Sequence, residues 1–192
     1  MKQTSKIAIL AVALFTGFGG TALAATPLHA SGPYVSGSAG IGIPGDWDET
    51  SYGVFKVKTG VPLYCAVGYN YGSARLEAAA GYQKFDWKDV AEDTSITTLM
   101  ANAYYDFDTS SNYRPYVMGG LGIADVNVSW DTDSSTVFAW QLGAGIGVKA
   151  GNGWTVDLGY RYLKPSGLQC PTDKYDVSWE VHTILAGVRY QF

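Results

Sequence analysis

Apolar side chains recur at every second position through eight stretches of this chain, with Gly or polar residues between them. Successive side chains of a β-strand point to opposite faces, so the pattern predicts strands with one apolar face and one small or polar face. The seventh stretch is the clearest. Trp154, Val156, Leu158, Tyr160 and Tyr162 share one face, and Thr155, Asp157, Gly159 and Arg161 share the other. The sixth sets Phe138, Trp140, Leu142, Ala144, Ile146 and Val148 against Gln141, Gly143, Gly145, Gly147 and Lys149. The fourth sets Leu99, Ala101, Ala103, Tyr105 and Phe107 against Thr98, Met100, Asn102, Tyr104 and Asp106, and the third sets Leu76, Ala78, Ala80 and Tyr82 against Arg75, Glu77, Ala79, Gly81 and Gln83.

In the second stretch Val61, Leu63, Cys65, Val67 and Tyr69 fall together, and in the eighth Ile184, Ala186, Val188, Tyr190 and Phe192 oppose Thr183, Gly187, Arg189 and Gln191, with Leu185 an apolar exception among them. The first (34–43) and fifth (116–123) are Gly-rich; Val35, Ala39 and Ile41 are expected outward in one, and Val117, Leu121 and Ile123 in the other. Each stretch holds about ten residues, which at roughly 3.3 Å per residue and about 45° of tilt crosses an apolar band of about 25 Å. The predicted fold is therefore all-β, an eight-stranded antiparallel transmembrane up-and-down β-barrel.

The connections alternate in length. Asn70-Tyr71-Gly72-Ser73, residues 108–113 and Gly151-Asn152-Gly153 read as tight turns, whereas 44–59, 86–93, 125–135 and 164–176 are longer and polar. Short periplasmic turns and long extracellular loops are the habit of outer-membrane barrels, which places both chain ends in the periplasm.

The two ends agree. Lys2 and Lys6 precede the apolar run 7–15, and a Gly-rich stretch leads on to Ala22-Leu23-Ala24. That run is too short to cross a bilayer as a helix, which needs about 20 residues, and the small residues suit signal peptidase. Residues 1–24 are expected to be a cleaved signal peptide, and 25–192 one outer-membrane β-barrel domain. At the other end Val188, Tyr190 and Phe192 alternate in the closing VRYQF, which resembles the assembly signal of bacterial outer-membrane barrels. The resemblance implies recognition of the last strand by the barrel-assembly machinery.

Composition adds 24 Gly and 14 Tyr with 47% hydrophobic residues and a mean hydropathy of zero, which describes alternation rather than an oily core. Loss of Lys2 and Lys6 takes the formal charge from −4 to −6, so a basic nucleic-acid surface is not expected. A soluble barrel of about eight strands would carry charge outside and apolar residues inside. Here Arg75, Glu77, Asp106, Lys149, Asp157, Arg161 and Arg189 all lie opposite the aromatic face, as lipid outside requires. Trp154, Tyr162, Tyr69 and Tyr82 fall where interfacial girdles would be. An eight-stranded cylinder is only wide enough for side chains to fill it, so the inner charges are expected to form a structural ion-pair network, a narrow gated channel being the alternative.

Little in the chain suggests other chemistry. The loops lean acidic, but Asp131-Thr132-Asp133-Ser134 lacks the Gly and distant Glu of a calcium loop, so no metal or cofactor is expected. Trp47, Tyr52, Phe55, Trp87, Trp130 and Tyr175 sit among those loop charges as contact points for a surface ligand. His29 has no partner nearby in sequence. Ser178, Glu180 and His182 alternate near the outer end of the last strand and are the ingredients of an acyl hydrolase acting on lipid A. Residues two apart on a strand are separated by about 6.6 Å, beyond the reach of a nucleophile and its base. The barrel places Cys65 on the lipid face and Cys170 in the last outer loop, too far apart for a disulfide, which needs Cα atoms within about 7 Å.

GSARLEAAAGYQKFD (72–86), MANAYYDFD (100–108), RPYVMGGLGIADV (114–126), FAWQLGAGIGV with WTVDLGYRYL, and the terminal LAGVRYQF together resemble the opacity-protein and surface-antigen family of porin-like outer-membrane proteins. The resemblance implies a monomeric eight-stranded barrel at the Gram-negative cell surface, in a family that includes adhesins, recognised antigens and envelope-stabilising proteins. It carries over onto barrel residues, Arg75 and Glu77, Tyr105 and Asp106, Pro115 and Tyr116, and Arg161, and onto no catalytic residue. The expected function is thus a non-enzymatic envelope protein in contact with outer-membrane lipid and lipopolysaccharide, whose outer loops are available for surface contact or adhesion. A folded chain is expected to migrate differently on a detergent gel before and after boiling; identical migration with recovery in the soluble periplasmic fraction would count against the barrel.

Overall fold

The structure, a computed structural model, describes residues 31–45, 47–49, 53–55, 59–86, 93–128, 135–166, 168–169, 176–177 and 180–192. The expected signal peptide, His29, Cys170, Ser178 and the side chains of the loop aromatics named above lie outside the described residues. Eight strands form the wall: β1 Gly32–Pro44, β2 Leu63–Asn70, β3 Ala74–Asp86, β4 Asp93–Asp106, β5 Tyr113–Val128, β6 Ser135–Gly151, β7 Trp154–Ser166 and β8 Val181–Gln191. Each pairs antiparallel with its neighbours in sequence, and β1 closes the cylinder by pairing with β8 as well as β2. Two short hairpins rise from the loop end, Trp47–Glu49 with Gly53–Phe55 and Leu168–Gln169 with Asp176–Val177.

The period of two decides which face meets lipid. Leu121 and Leu158 are 59% and 55% exposed, whereas Ala79 and Ala124 on the other face are 2% and 0% exposed. The Gly-rich strands follow the expected facing, with Val35, Ala39 and Ile41 of β1 and Val117, Leu121 and Ile123 of β5 all outward. Strand length departs from the expectation: β5 has 16 residues and β6 has 17. The strands therefore take in residues 125–128 and 135 of the stretch expected as a loop at 125–135. The extra turns of ladder stand above the apolar band, where outward positions become polar. There Asp125 accepts hydrogen bonds from Asn127 at 2.5 Å and from Thr136 at 3.2 Å.

The tight turns use the residues expected of them. Gly151, Asn152 and Gly153 have φ of 90°, 51° and 81°, a left-handed run that two glycines and an asparagine tolerate. Inside, glycine has a different use, which is to make room. A Cβ on Gly81 would lie 2.4 Å from the Tyr64 ring, and one on Gly145 or Gly159 would lie 2.5 Å from the Tyr116 hydroxyl. Large inward tyrosines fit because small residues face them from neighbouring strands.

At the closing seam Gly40 pairs with Leu185, and a Cβ there would stand 1.8 Å from the Ile184 carbonyl oxygen, a backbone atom that cannot swing aside. Gly40→Ala is expected to lower the unfolding free energy by about 1–3 kcal/mol, the usual cost of overpacking, as read from urea unfolding in lipid vesicles. Gly119→Ala faces lipid with nothing closer than 3.6 Å and should leave the transition unmoved.

Candidate functional site

The lumen is stratified, and its layers follow from inner-face positions at matching heights on paired strands. At the turn end Asn70 donates to the Gln191 side chain at 2.9 Å and accepts from the Gly72 amide at 2.8 Å. Above it Arg75 grips Asp106 through two bonds, Nε to Oδ2 at 2.7 Å and Nη2 to Oδ1 at 2.8 Å, with both side chains nearly dry. The next layer centres on Glu77. Its carboxylate accepts from Tyr34 at 3.1 Å, Ser36 at 3.5 Å, Asn102 at 3.1 Å and Tyr104 at 2.8 Å, four neutral donors replacing the water it lost. The Arg75 guanidinium lies 4.2 Å from the Tyr104 ring centroid, so the two layers are stacked as well as bonded.

On the opposite wall Arg189 reaches Asp157 at 3.3 Å. Arg161 is the exception: its Nη2 touches the Tyr104 hydroxyl at 3.5 Å, and its guanidinium lies 4.5 Å from the Tyr64 ring centroid. Among the described residues no carboxylate forms an ion pair with it. A cavity of about 60 Å³ opens here, lined by Arg75, Glu77, Asp157, Arg161 and Arg189 among others.

Six of the seven sequence-predicted charges thus meet inside the barrel, and Lys149 does not. Its register opposite Thr155 keeps it on the inner-face positions, but it stands at the turn end of β6, just before the ladder shifts, and is exposed there. The expected direct pairing of charges is only partly what is found: Arg75–Asp106 and Arg189–Asp157 pair, while Glu77 and Arg161 communicate through the Tyr104 hydroxyl. Sequence reasoning missed the layer toward the loops. There Phe85, Ile96, Met100, Ala124, Val126, Ala139, Leu163 and Val181 pack into an apolar cluster that closes the lumen. Its signal was present, since Phe85, Ile96, Leu163 and Val181 extend the inner-face registers of β3, β4, β7 and β8 beyond their polar members.

The outer wall holds the other candidate. The Tyr160 hydroxyl and His182 Nδ1 are 2.6 Å apart, His182 Nε2 lies 3.7 Å from Glu180, and the Tyr162 hydroxyl donates to Glu180 at 2.5 Å. That donation holds the Glu180 carboxyl below the usual carboxylate range. Glu180 and His182 come closer than their backbone spacing suggested, but both ring nitrogens already face partners within this circuit, and a general base needs one turned to its nucleophile. The C-terminal Val188, Tyr190 and Phe192 line the outer face, with Tyr190 and Phe192 in edge contact at 5.2 Å and Phe192 69% exposed. Cys65 is exposed on the same outer face. Among the described residues no three His, Cys, Asp or Glu side chains converge as a metal-binding set.

Comparison with known proteins places this architecture. Residues 10–192 match the family described as outer membrane protein beta-barrel domain. The outer membrane protein PagN of Salmonella typhimurium is 32% identical over 101 residues, covering 45% of this chain and 41% of that protein. An uncharacterized protein of Brucella abortus is 29% identical over 136 residues, covering 51% and 48%. The chain therefore spans about half or less of the length of these curated relatives. Among solved structures, Neisserial surface protein A superposes with a TM-score of 0.66 at 23% identity over 84% of this chain and 99% of that one. AlkL, an outer membrane protein solved in lipid bilayers, gives 0.53 at 16% identity over 91% and 97%. At such identities the likeness is one of fold.

The lumen geometry yields a stability order. Arg75→Met leaves the Asp106 carboxylate dry and unpaired and should cost about 3–5 kcal/mol in urea unfolding, whereas Arg75→Met with Asp106→Leu should recover most of it. Lys149→Met should fall within about 0.5 kcal/mol of the parent, as exposed substitutions do.

Proposed function

We propose, from the premise that this chain belongs to the outer membrane protein β-barrel domain family, that it serves the outer membrane as a sealed, non-enzymatic envelope barrel. The observation that carries this reading is the filled lumen. A route for solute would have to pass both the hydrogen-bonded charge layers and the apolar cluster around Phe85 and Leu163, and eight strands leave no bore beside them. The inner charges then act as a structural network, and the outer surface does the rest. In this reading the loops expected at 44–59, 86–93, 125–135 and 164–176 stand outside the cell, both termini lie in the periplasm, and a single copy sits among lipid and lipopolysaccharide. The loops are the variable, polar part of such a scaffold and therefore the part suited to contact a host or surface ligand. Recognition by the barrel-assembly machinery falls to the last strand, where Val188, Tyr190 and Phe192 present an apolar outer edge.

A narrow channel is the second reading, favoured by the polar cavity beside Arg161. Planar-bilayer recording separates the two. The parent barrel should show no reproducible single-channel steps, and Phe85→Ser with Ile96→Ser, which makes the apolar layer wettable, should introduce them; regular steps from the parent would establish the channel instead. Orientation has its own test, in a background with Cys65 and Cys170 replaced by Ala. Asp131→Cys should react with an impermeant maleimide on intact cells, and Asn152→Cys only after the outer membrane is opened. Surface contact predicts that the purified barrel binds host matrix or cells and that a loop-deleted version, still heat-modifiable on a gel, does not.

A further inference from the structure

We propose that the lumen cavity beside Arg161 is a binding site for one small monatomic anion, a halide such as chloride. The cavity measures about 60 Å³, room for about four water-sized guests at roughly 10–15 Å³ each. It lies on the turn side of the apolar layer, away from the loops. Five buried side-chain atoms among the described residues lack a hydrogen-bond partner: Gln83 Oε1, Thr98 Oγ1, Thr183 Oγ1, Arg161 Nη1 and Arg189 Nε. Only the two arginines line the cavity, and both of their unpartnered atoms are donors.

The nearby carboxylates are turned to other donors. Glu77 already takes four, Asp106 is held bidentate by Arg75, and Asp157 takes one bond from Arg189 at 3.3 Å. Arg161 is a half-buried residue whose Nη1 is shut off from solvent, and its guanidinium is met at contact range by a tyrosine hydroxyl and a tyrosine ring. A buried charge in that position favours a counter-ion, and a charge-assisted bond to it is stronger than one to a neutral acceptor. Water accepts here too, but each water also brings two protons into a wall rich in donors. A halide accepts from several N–H groups at once and donates nothing. The carboxylates of Asp157 and Glu77 on the same wall limit the guest to a single negative charge, and the volume admits a halide together with a few waters.

The test uses the refolded mature chain in detergent at fixed ionic strength, with sodium bromide exchanged for sodium gluconate, whose anion is too large for the cavity. The thermal midpoint, read from the heat-modifiable gel shift, should rise by a few degrees with bromide and level off as the site fills. Arg161→Met should lose that dependence. Crystals of the parent chain grown in bromide should show an anomalous peak between Arg161 and Arg189, which keeps the test decisive if Arg161→Met does not fold. Equal midpoints in bromide and gluconate, a bromide dependence that survives Arg161→Met, or a cavity without bromine signal would each overturn the proposal and leave water as the occupant.

Discussion

The constraint behind everything else is the need to fill a cylinder only eight strands around. Such a barrel has no bore for bulk water, so each inner side chain must be satisfied by another inner side chain. Tyrosine suits this need because it spans the lumen with an apolar body and ends in a hydroxyl that both donates and accepts. Tyr34, Tyr64, Tyr104 and Tyr116 fill the middle of the barrel, and the glycines opposite them let them in. The high counts of both residues are two sides of one packing solution.

The same constraint explains how the charges are arranged. A dry ion pair is stable only when its geometry is complete, and Arg75 with Asp106 has the bidentate form that completes it. Glu77 is treated differently: four hydroxyl and amide donors from two other strands, β1 and β4, replace its hydration shell, so its charge is dispersed rather than cancelled. That choice leaves Arg161 without a carboxylate of its own. Toward the loops the lumen changes from polar to apolar, and an apolar layer resists wetting where a charged one would not.

Outside, the demand is reversed. Lipid offers no hydrogen bonds, so polar groups on the wall must find one another or sit at the interface. Tyr160, His182, Glu180 and Tyr162 do both, forming a chain of polar contacts near the loop end, with the Trp140 ring tilted against Tyr162 at 5.4 Å. The arrangement that makes these groups compatible with a membrane wall also turns both ring nitrogens of the histidine toward Tyr160 and Glu180.

The sequence by itself determined the strand count, the inner and outer faces, the positions of the turns and the identity of six inner charges. All of these follow from a period of two and from turn residues, which are local properties readable along one strand. Tertiary structure alone decided which inner residue meets which. The partner of Arg75 is 31 positions away, and Glu77 is bonded from two other strands, because pairing register around a closed cylinder sets those meetings and no single strand carries it. The same register set Lys149 at the exposed turn end, assembled Phe85, Ile96, Leu163 and Val181 into one layer, and left Arg161 facing a cavity. Alternation says only that a side chain points inward. Closure decides at what height, and against what.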